Sequence, residues 1–301
     1  QKTAYEIRNC DWSSDVCSSD LELSGGNADV GRALWLVYSV VTCRRSNAMH
    51  WEEQKQKILG QLLREIDNRL NDSRAGGLQS FAEQFYRSFP AEDLQDRLVS
   101  DLFGMTFGNW EFLADYDGGR AKVRVFNPDF EKHGWQSKHT AVVVLCPNMP
   151  FCMDSVRGEL NRRNIAVHSL HSENFRVLRV DGRLERMLQL DEQGVDFSAE
   201  SLLYLEITRH SDPEDHRDIS EALIEVLREV AVVIEGFQAM CEQALAVADR
   251  VGSGLDHGEQ NPGEVEAFCR WLVDGHLTFL GYECFSVHYG AGEPEIGRAH
   301  V

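Results

Sequence analysis

The chain has 301 residues, of which 49 are acidic and 30 are basic, so its formal net charge is −19 at pH 7. This acidic balance argues against a surface for nucleic acid or anionic lipid, because phosphate binding requires an excess of Lys and Arg. We find no apolar run near the roughly 20 residues that cross a membrane. The eight cysteines include no C-x-x-C pair of the kind typical of structural zinc. Composition therefore predicts a cytoplasmic protein without a nucleic-acid partner, a membrane partner or a metal.

The two ends of the chain share an unusual relation. Residues 15–20 read Asp-Val-Cys-Ser-Ser-Asp, and residues 296–301 read Ile-Gly-Arg-Ala-His-Val. These peptides can be encoded by opposite strands of one oligonucleotide, as the two ends of a short-read sequencing adapter would be. Such residues are best left out of fold reasoning. We therefore expect 1–48 to be a disordered adapter and upstream artefact and 296–301 to be adapter, with Met49 starting a piece of a longer protein.

Residues 49–117 are predicted to form an N-terminal helical segment, because apolar side chains recur there at three- and four-residue steps. Turn formers from Asn71 to Gly77 separate the first predicted helix from the second. A third helix begins at Pro90, which suits a first helical turn. We expect that helix to be interrupted at Gly104.

Residues 118–251 alternate between strand and helix patterns. Asp181-Gly182 is a strong signal for a two-residue hairpin turn. The order strand, helix, strand, strand, helix is most of a βαββαβ ferredoxin-like unit, an α+β fold with an antiparallel sheet and two helices on one face. The predicted elements are strands at 121–126, 139–146, 165–170, 174–180, 183–190 and 201–208, and helices at 151–163 and 219–251.

The remaining residues form a predicted linker and a new start. Residues 252–263 are rich in Gly and turn formers, which is typical of a loop. Residues 264–295 are expected to contain an amphipathic helix and one or two strands within 277–288. Those strands either close the sheet or begin a following module, and the pattern does not choose between these alternatives.

The turn between strand 139–146 and helix 151–163 is the most suggestive site. A helix N-terminus offers unpaired backbone N–H groups and a positive dipole end to a small anion, such as an amino-acid carboxylate. Alternatively, the side chains of Asp154 and Ser155 satisfy those groups themselves. The candidate effector or contact turn comprises Asn148, Met149, Pro150, Phe151, Asp154 and Ser155.

No residue pattern in the chain indicates a catalytic or cofactor site. P-loop, G-x-S-x-G and H-E-x-x-H patterns are absent from the sequence. Cys146 and Cys152 flank the candidate turn, where a thiol pKa can fall, but no base is assignable to them. A hydrolase built on Cys152 and His168 is therefore a minor alternative. His168 and His171 are three apart on a strand and point to opposite faces, so a shared metal is geometrically poor.

Three runs of sequence together resemble a known family. They are VRVFNPDFEKHGWQSKHT at 123–140, MPFCMDSVRGELNRR at 149–163 and FLGY at 279–282. In this order they are similar to the N-terminal region of the large bacterial NAD-specific glutamate dehydrogenases, over most of residues 75–288. In that family the region is the first of several ACT-like regulatory modules, which have ferredoxin-like topology, and the catalytic domain lies far downstream.

The resemblance implies a role for the chain as a regulatory and assembly region. The parent would convert L-glutamate, NAD and water to 2-oxoglutarate, ammonia and NADH, in glutamate catabolism. NAD would bind elsewhere in the parent, because the catalytic lysines and the Rossmann unit of the family have no counterpart here. The implied partners are the downstream domains, further copies in a homo-oligomer and an amino-acid effector.

One position in the candidate turn departs from the pattern of effector-binding ACT domains. Those domains commonly place Gly after Pro in this turn, where the present chain has Phe151. Its side chain would fill the approach to the helix N-terminus, which favours a scaffolding or oligomer-contact role. The alternative function is a free-standing ACT-like amino-acid sensor.

Overall fold

The computed structural model of the chain describes residues 51–70, 72–188, 192, 197–253, 261–283, 285–288 and 295–298. The chain divides into two compact units, Gln1–Glu53 and Gln54–Val301, and the architecture below is that of the second. The predicted adapter and upstream residues 1–48 lie outside the described residues. So do 299–301 and residues 254–260 of the predicted linker.

From residue 51 onward, the described part of the chain has four helices before the first strand. They are α1 at 51–69, α2 at Asp72–Phe85, α3 at Ala91–Gln95 and α4 at Val99–Ala114. The predicted break from Asn71 to Gly77 is too long, because α2 already begins at Asp72 and contains two glycines. The predicted third helix is divided into α3 and α4, and Pro90 is the N-cap residue of α3.

The predicted interruption at Gly104 is wrong, because α4 continues through it to Ala114. Gly104 instead allows the backbone of α4 to pack closely against the backbone at Gly134. A Cβ atom at Gly104 would lie 2.8 Å from the carbonyl carbon and oxygen of Gly134. The helix backbone thus approaches the loop after the short helix α5, Phe130–His133, at a distance that only glycine permits.

Five antiparallel strands form one sheet in the order β1-β2-β5-β3-β4. Helix α6, Cys152–Arg162, joins β2 to β3. Val125 of β1 is opposite Val142 of β2, and Val143 of β2 is opposite Tyr204 of β5. The strands are β1 Lys122–Phe126, β2 Thr140–Pro147, β3 Val167–Val180, β4 Arg183–Met187 and β5 Ser198–Ile207.

The predicted α+β, ferredoxin-like sheet is confirmed in its central strands. In a βαββαβ unit the third strand lies between the first and the second. Here β5 lies in the same way between β2 and β3. The edge beside β2, where the last strand of such a unit would pair, is occupied by β1 from earlier in the chain. β4 adds a further strand at the opposite edge through its hairpin with β3.

Strand β3 is longer than the pattern indicated. The two predicted strands at 165–170 and 174–180 are one continuous strand, because β3 pairs with β5 from Val167 to Val177. The predicted hairpin turn at Asp181-Gly182 is confirmed. Both residues have positive φ, 50° and 76°, as a type I′ turn requires.

Helices cover both faces of the sheet. Alternate residues of β2 enter different cores, which explains why this strand is almost continuously apolar. Val142 and Val144 pack with α6 and α7 in one core, and these are the two helices expected on one face. Val143 and Leu145 pack with the N-terminal helices α1, α2 and α4 in the other.

Helix α7, Pro213–Gly252, extends for 40 residues. Asp212 caps it by accepting a hydrogen bond from the Glu214 N–H group at 2.9 Å. By length and composition alone α7 is apolar enough to cross a membrane, with mean hydropathy 1.4 over 18 residues. One such helix is weak evidence for a membrane span, because core helices of soluble proteins meet the same criteria of length and composition.

The chain after α7 forms a helix, a short π-helical turn and a hairpin. α8 spans Pro262–Trp271 and the turn spans Leu272–His276. β6, Phe285–His288, pairs with β7, Glu295–Arg298, in a separate two-stranded sheet. Of the two alternatives for this segment, closing the five-stranded sheet or beginning a following module, the first does not occur in the described part of the chain. β7 contains three of the predicted adapter residues.

Candidate functional site

Two hydrogen bonds connect the candidate turn to the neighbouring strand β5. β2 ends at Pro147, and the backbone N–H of Asn148 donates to the carbonyl oxygen of Ala199 at 2.8 Å. The Ser201 hydroxyl donates to the side-chain oxygen of Asn148 at 3.1 Å. These two bonds fix where the chain leaves the sheet and so fix where α6 begins.

Phe151 adopts a backbone conformation that is unusual for its side chain. As the N-cap residue of α6 it has φ 64° and ψ 0°, in the left-handed region, which costs an L-residue about 1–2 kcal/mol. Its side chain offers no oxygen to the first-turn N–H groups and is 49% exposed. The position thus has the backbone geometry of glycine and carries an aromatic ring at the surface.

A groove of about 550 Å³ lies beside this turn. One wall is the start of α6 with Phe151, and the other is formed by α7 and by the segment that follows the π-helical turn. The lining residues are Phe151, Asp154, Ser155, Val226, Glu229, Val230, Val233, Thr278 and Leu280.

The structure brings three of the six candidate residues together in the groove: Phe151, Asp154 and Ser155. The other three lie behind the groove or away from it. Asn148 is bonded to β5, Met149 packs against the core on the α6 and α7 face, and Pro150 is exposed.

Sequence reasoning did not assign the second wall of the groove. Val226, Val230 and Val233 are spaced four and three residues apart on α7, which places them on one helix face. That spacing predicts a buried helix stripe as readily as a groove wall, so it carried no specific signal. Leu280 belongs to the short run at 279–282 that contributed to the family resemblance.

The lining of the groove is negatively charged. Its two charged side chains, Asp154 and Glu229, are both acidic, and none of the nine lining residues is Lys or Arg. A carboxylate ligand would therefore meet two like charges, which oppose the attraction of the α6 N-terminus. The lining favours an apolar or cationic occupant.

The two cysteines that flank the turn are in contact. Their sulfur atoms lie 2.9 Å apart, and both side chains are buried. The hydrogen bond with Cys146 lowers the pKa of Cys152, against the effect of burial. The same hydrogen bond, together with burial, raises the pKa of Cys146.

The histidines weighed in the sequence have other roles. His168 stacks on His139 with ring centroids 4.1 Å apart, and its Nε2 lies 3.3 Å from the Thr208 hydroxyl. His171 is buried and stacks on Phe89 at 3.6 Å. Cys152 has Cys146 as its hydrogen-bond partner. Within the described residues, no group of three His, Cys, Asp or Glu side chains could hold a metal ion.

Part of the chain, including the α6 wall of the groove, matches known proteins. Residues 81–223 match the family described as glutamate dehydrogenase, ACT1 domain. Over 251 residues the chain is 39% identical to the NAD-specific glutamate dehydrogenase of Halomonas elongata, covering 82% of this chain and 16% of that protein. Over 240 residues it is 42% identical to the NAD-specific glutamate dehydrogenase of Pseudomonas aeruginosa, covering 79% and 15%. Residues 81–223 are therefore similar to the ACT1 domain of glutamate dehydrogenases, and the chain spans about one sixth of the length of the relatives that it matches.

Proposed function

We propose that the chain is a regulatory and assembly region of a cytoplasmic NAD-dependent glutamate dehydrogenase. The parent oxidatively deaminates L-glutamate to 2-oxoglutarate and ammonia and passes hydride to NAD. Within this proposal, 49–117 is a helical segment and 118–251 is the ACT-like domain. The linker predicted at 252–263 is shorter at both ends, because α7 includes Gly252 and α8 begins at Pro262. NAD and the catalytic groups belong to the downstream domains, and the parent is a homo-oligomer without a nucleic-acid or membrane partner.

The observation that carries the assembly role is the exposed apolar surface of α7, α8 and the segment after them. Val232 on α7 is 57% exposed, Phe268 and Trp271 on α8 are 56% and 49% exposed, and Leu280 is 72% exposed. Phe268 and Trp271 are adjacent, with stacked rings whose centroids lie 6.1 Å apart, and contiguous apolar side chains at a surface mark contacts with other protein. We assign this surface to contacts with the parent's remaining domains, because the chain covers only 15–16% of the proteins that it matches.

The groove supports the same role. Its acidic and apolar lining suits a protein segment that carries apolar and cationic side chains. It suits an amino-acid carboxylate less well, because Asp154 and Glu229 would repel that group. Phe151, half-exposed at the groove wall, adds an aromatic anchor of the kind that is enriched at protein interfaces.

The DNA that follows this coding region tests the identity of the parent. We expect the reading frame to continue into a glutamate dehydrogenase catalytic domain with a Rossmann unit. A stop codon soon after Val287, or a different downstream domain, would refute the proposal.

The assembly role is tested in the full parent enzyme with the double variant Val232→Asp, Phe268→Asp. Both side chains are largely exposed, so we expect the 301-residue chain alone to unfold at the same temperature as the wild type. In the parent we expect a smaller particle by light scattering and reduced turnover. The matched control is Glu221→Ala, another exposed position on α7, and equal particle sizes for the double variant and the control would contradict the role.

A free-standing amino-acid sensor is the second candidate, favoured by one observation. The groove volume of about 550 Å³ lies within the range of small-molecule sites. Isothermal titration of the 301-residue chain with each common amino acid separates the two candidates. A saturable heat that is lost in Ser155→Tyr would support the sensor, and no heat with any amino acid would remove it.

A further inference from the structure

We propose that Cys146 and Cys152 are a redox modification site, at which an oxidant converts the two thiols to an intramolecular disulfide across the candidate turn. The two sulfur atoms are already 2.9 Å apart. Cys146 is the second-last residue of β2, and Cys152 is the first residue of α6. The disulfide would enclose residues 147–151, which connect the sheet to the groove.

The surroundings of the two thiols favour bond formation over a chance contact. A disulfide has sulfur atoms about 2.0 Å apart, so the pair needs to close by roughly 0.9 Å. Both residues are held by regular structure, Cys146 by its pairing with Ser201 in the sheet and Cys152 by the helix. The short displacement therefore falls on the turn between them, which includes Phe151 in its left-handed conformation.

The two cysteines are suited to different steps of the oxidation. Cys152 is 5% exposed and Cys146 is fully buried, so an oxidant reaches Cys152 first. Cys152 is also the first residue of α6, where the positive end of the helix dipole favours the thiolate, which is the nucleophilic form. Cys146, which β2 holds directly beside Cys152, is the thiol that attacks the oxidised Cys152.

The chemistry balances with a hydroperoxide as the oxidant. The Cys152 thiolate attacks the peroxide oxygen, the O–O bond breaks, and the products are a Cys152 sulfenic acid and an alkoxide that takes up a proton to become an alcohol. The Cys146 sulfur then attacks the Cys152 sulfur, its thiol proton leaves, and the sulfenic hydroxyl departs as water. The two thiols are oxidised by two electrons, and the hydroperoxide is reduced to an alcohol and water.

The disulfide would alter the wall of the groove. Phe151 is both the residue before Cys152 and a lining residue, so closing the 146–152 ring constrains its backbone directly. Reduction of the bond by a dithiol would release the constraint. The site thus couples the redox state of the surroundings to the shape of the surface on which a partner would bind.

Peptide mass analysis of the 301-residue chain tests the proposal, because both cysteines lie on one tryptic peptide, residues 139–157. The chain is treated with tert-butyl hydroperoxide, free thiols are alkylated, and the protein is digested. We expect this peptide to lose two hydrogens and both alkylation sites, and to regain them after treatment with dithiothreitol. Cys241 and Cys269 lie on other peptides and serve as internal controls.

Three variants separate a specific disulfide from general oxidation. Cys146→Ser should leave Cys152 to accumulate as a sulfenic acid, which dimedone traps, and Cys152→Ser should leave Cys146 alkylatable after the same treatment. Cys241→Ser, which replaces another buried thiol, should form the 146–152 disulfide at the wild-type rate. Two alkylatable thiols in the wild-type peptide when Cys269 is already oxidised would overturn the proposal, as would conversion of Cys152 to sulfinic acid without a disulfide.

Discussion

Arg179 on β3 and Glu200 on β5 form a bidentate salt bridge in which the two side chains are only 6% and 1% exposed. The Arg179 Nε atom lies 2.6 Å from Oε1 of Glu200, and Nη2 lies 2.8 Å from Oε2. The same Nη2 donates to the carbonyl oxygen of Leu113 at 2.9 Å. One guanidinium therefore connects two strands of the sheet with the end of α4.

Removal of one member of this salt bridge should destabilise the chain strongly. We expect Glu200→Ala to lower the free energy of unfolding by about 3–5 kcal/mol, because it leaves the Arg179 charge buried without its partner. Urea unfolding measures the change. Glu225→Ala removes an exposed salt bridge to Arg228 and should cost far less than Glu200→Ala, because solvent screens the exposed pair. Equal losses in the two variants would show that the burial of Arg179 and Glu200 has no energetic effect.

Replacement of Phe151 by glycine should stabilise the turn. Glycine adopts positive φ without the left-handed penalty of about 1–2 kcal/mol, while its larger loss of backbone entropy on folding offsets about 0.5–1 kcal/mol. We expect Phe151→Gly to raise the free energy of unfolding by about 0.5–1 kcal/mol, measured by urea unfolding. Asn164 also has positive φ, 58°, but Asn tolerates this region, so Asn164→Gly should gain less. A loss of stability in Phe151→Gly would indicate that the ring packs on the groove.

Two helical glycines should respond in opposite directions to alanine. In Gly104→Ala the added Cβ would lie 2.8 Å from backbone atoms of Gly134, so α4 or the adjoining loop must shift and stability should fall. At Gly158 in α6 nothing lies within 4 Å of an added Cβ, and alanine should gain about 0.5–1 kcal/mol from helix propensity. Thermal unfolding of the two variants measures both effects. A decrease of the same size at both positions would contradict the packing role of Gly104.

The Glu159 carboxylate should give α6 a contribution to stability that depends on pH. Its hydrogen bond from Arg162 is the largest cause that lowers its pKa from 4.5 to about 2, and Arg163 adds to the effect. Because the folded-state pKa is lowered, this stabilisation is fully present above pH 4.5 and is lost as the pH falls toward about 2. We expect Glu159→Gln to be less stable than the wild type at pH 7, with a difference that shrinks below pH 4.5 and is mostly lost by about pH 2.

A carboxyl NMR titration of Glu159 and urea unfolding of the variant across this pH range provide the measurements. Glu221→Gln changes an exposed carboxylate of α7 and serves as the control for the general effect of charge. A Glu159 midpoint near 4.5, or a stability difference that persists at pH 2, would contradict the assignment.

The elements of the sheet could be predicted from the sequence because their patterns are local. The apolar run of β2 and the Asp181-Gly182 turn each carry their own signal. Gly104 misled the prediction, because a glycine in a helical pattern can indicate either a break or a close approach. Only the position of Gly134 distinguishes the two, and Gly134 is 30 residues further along the chain.

The candidate turn was predictable for the same reason and the groove was not. Phe151, Asp154 and Ser155 follow directly from the start of α6, so a strand-to-helix pattern suffices to find them. Val226 and Leu280 reach the groove only through the packing of α7 and of the segment after α8. Distances between segments so far apart in sequence are tertiary information, which no local periodicity contains.

The edge position of β1 has a consequence for how the protein can be extended. Because β1 already pairs with β2, the chain does not need to return to the sheet after α7. The five-stranded sheet is complete in its strands before α7 begins, and the helix is free to run about 60 Å at a rise of about 1.5 Å per residue. Whatever follows Gly252 can therefore be lengthened, exchanged or repositioned without removing a single hydrogen bond between the five strands.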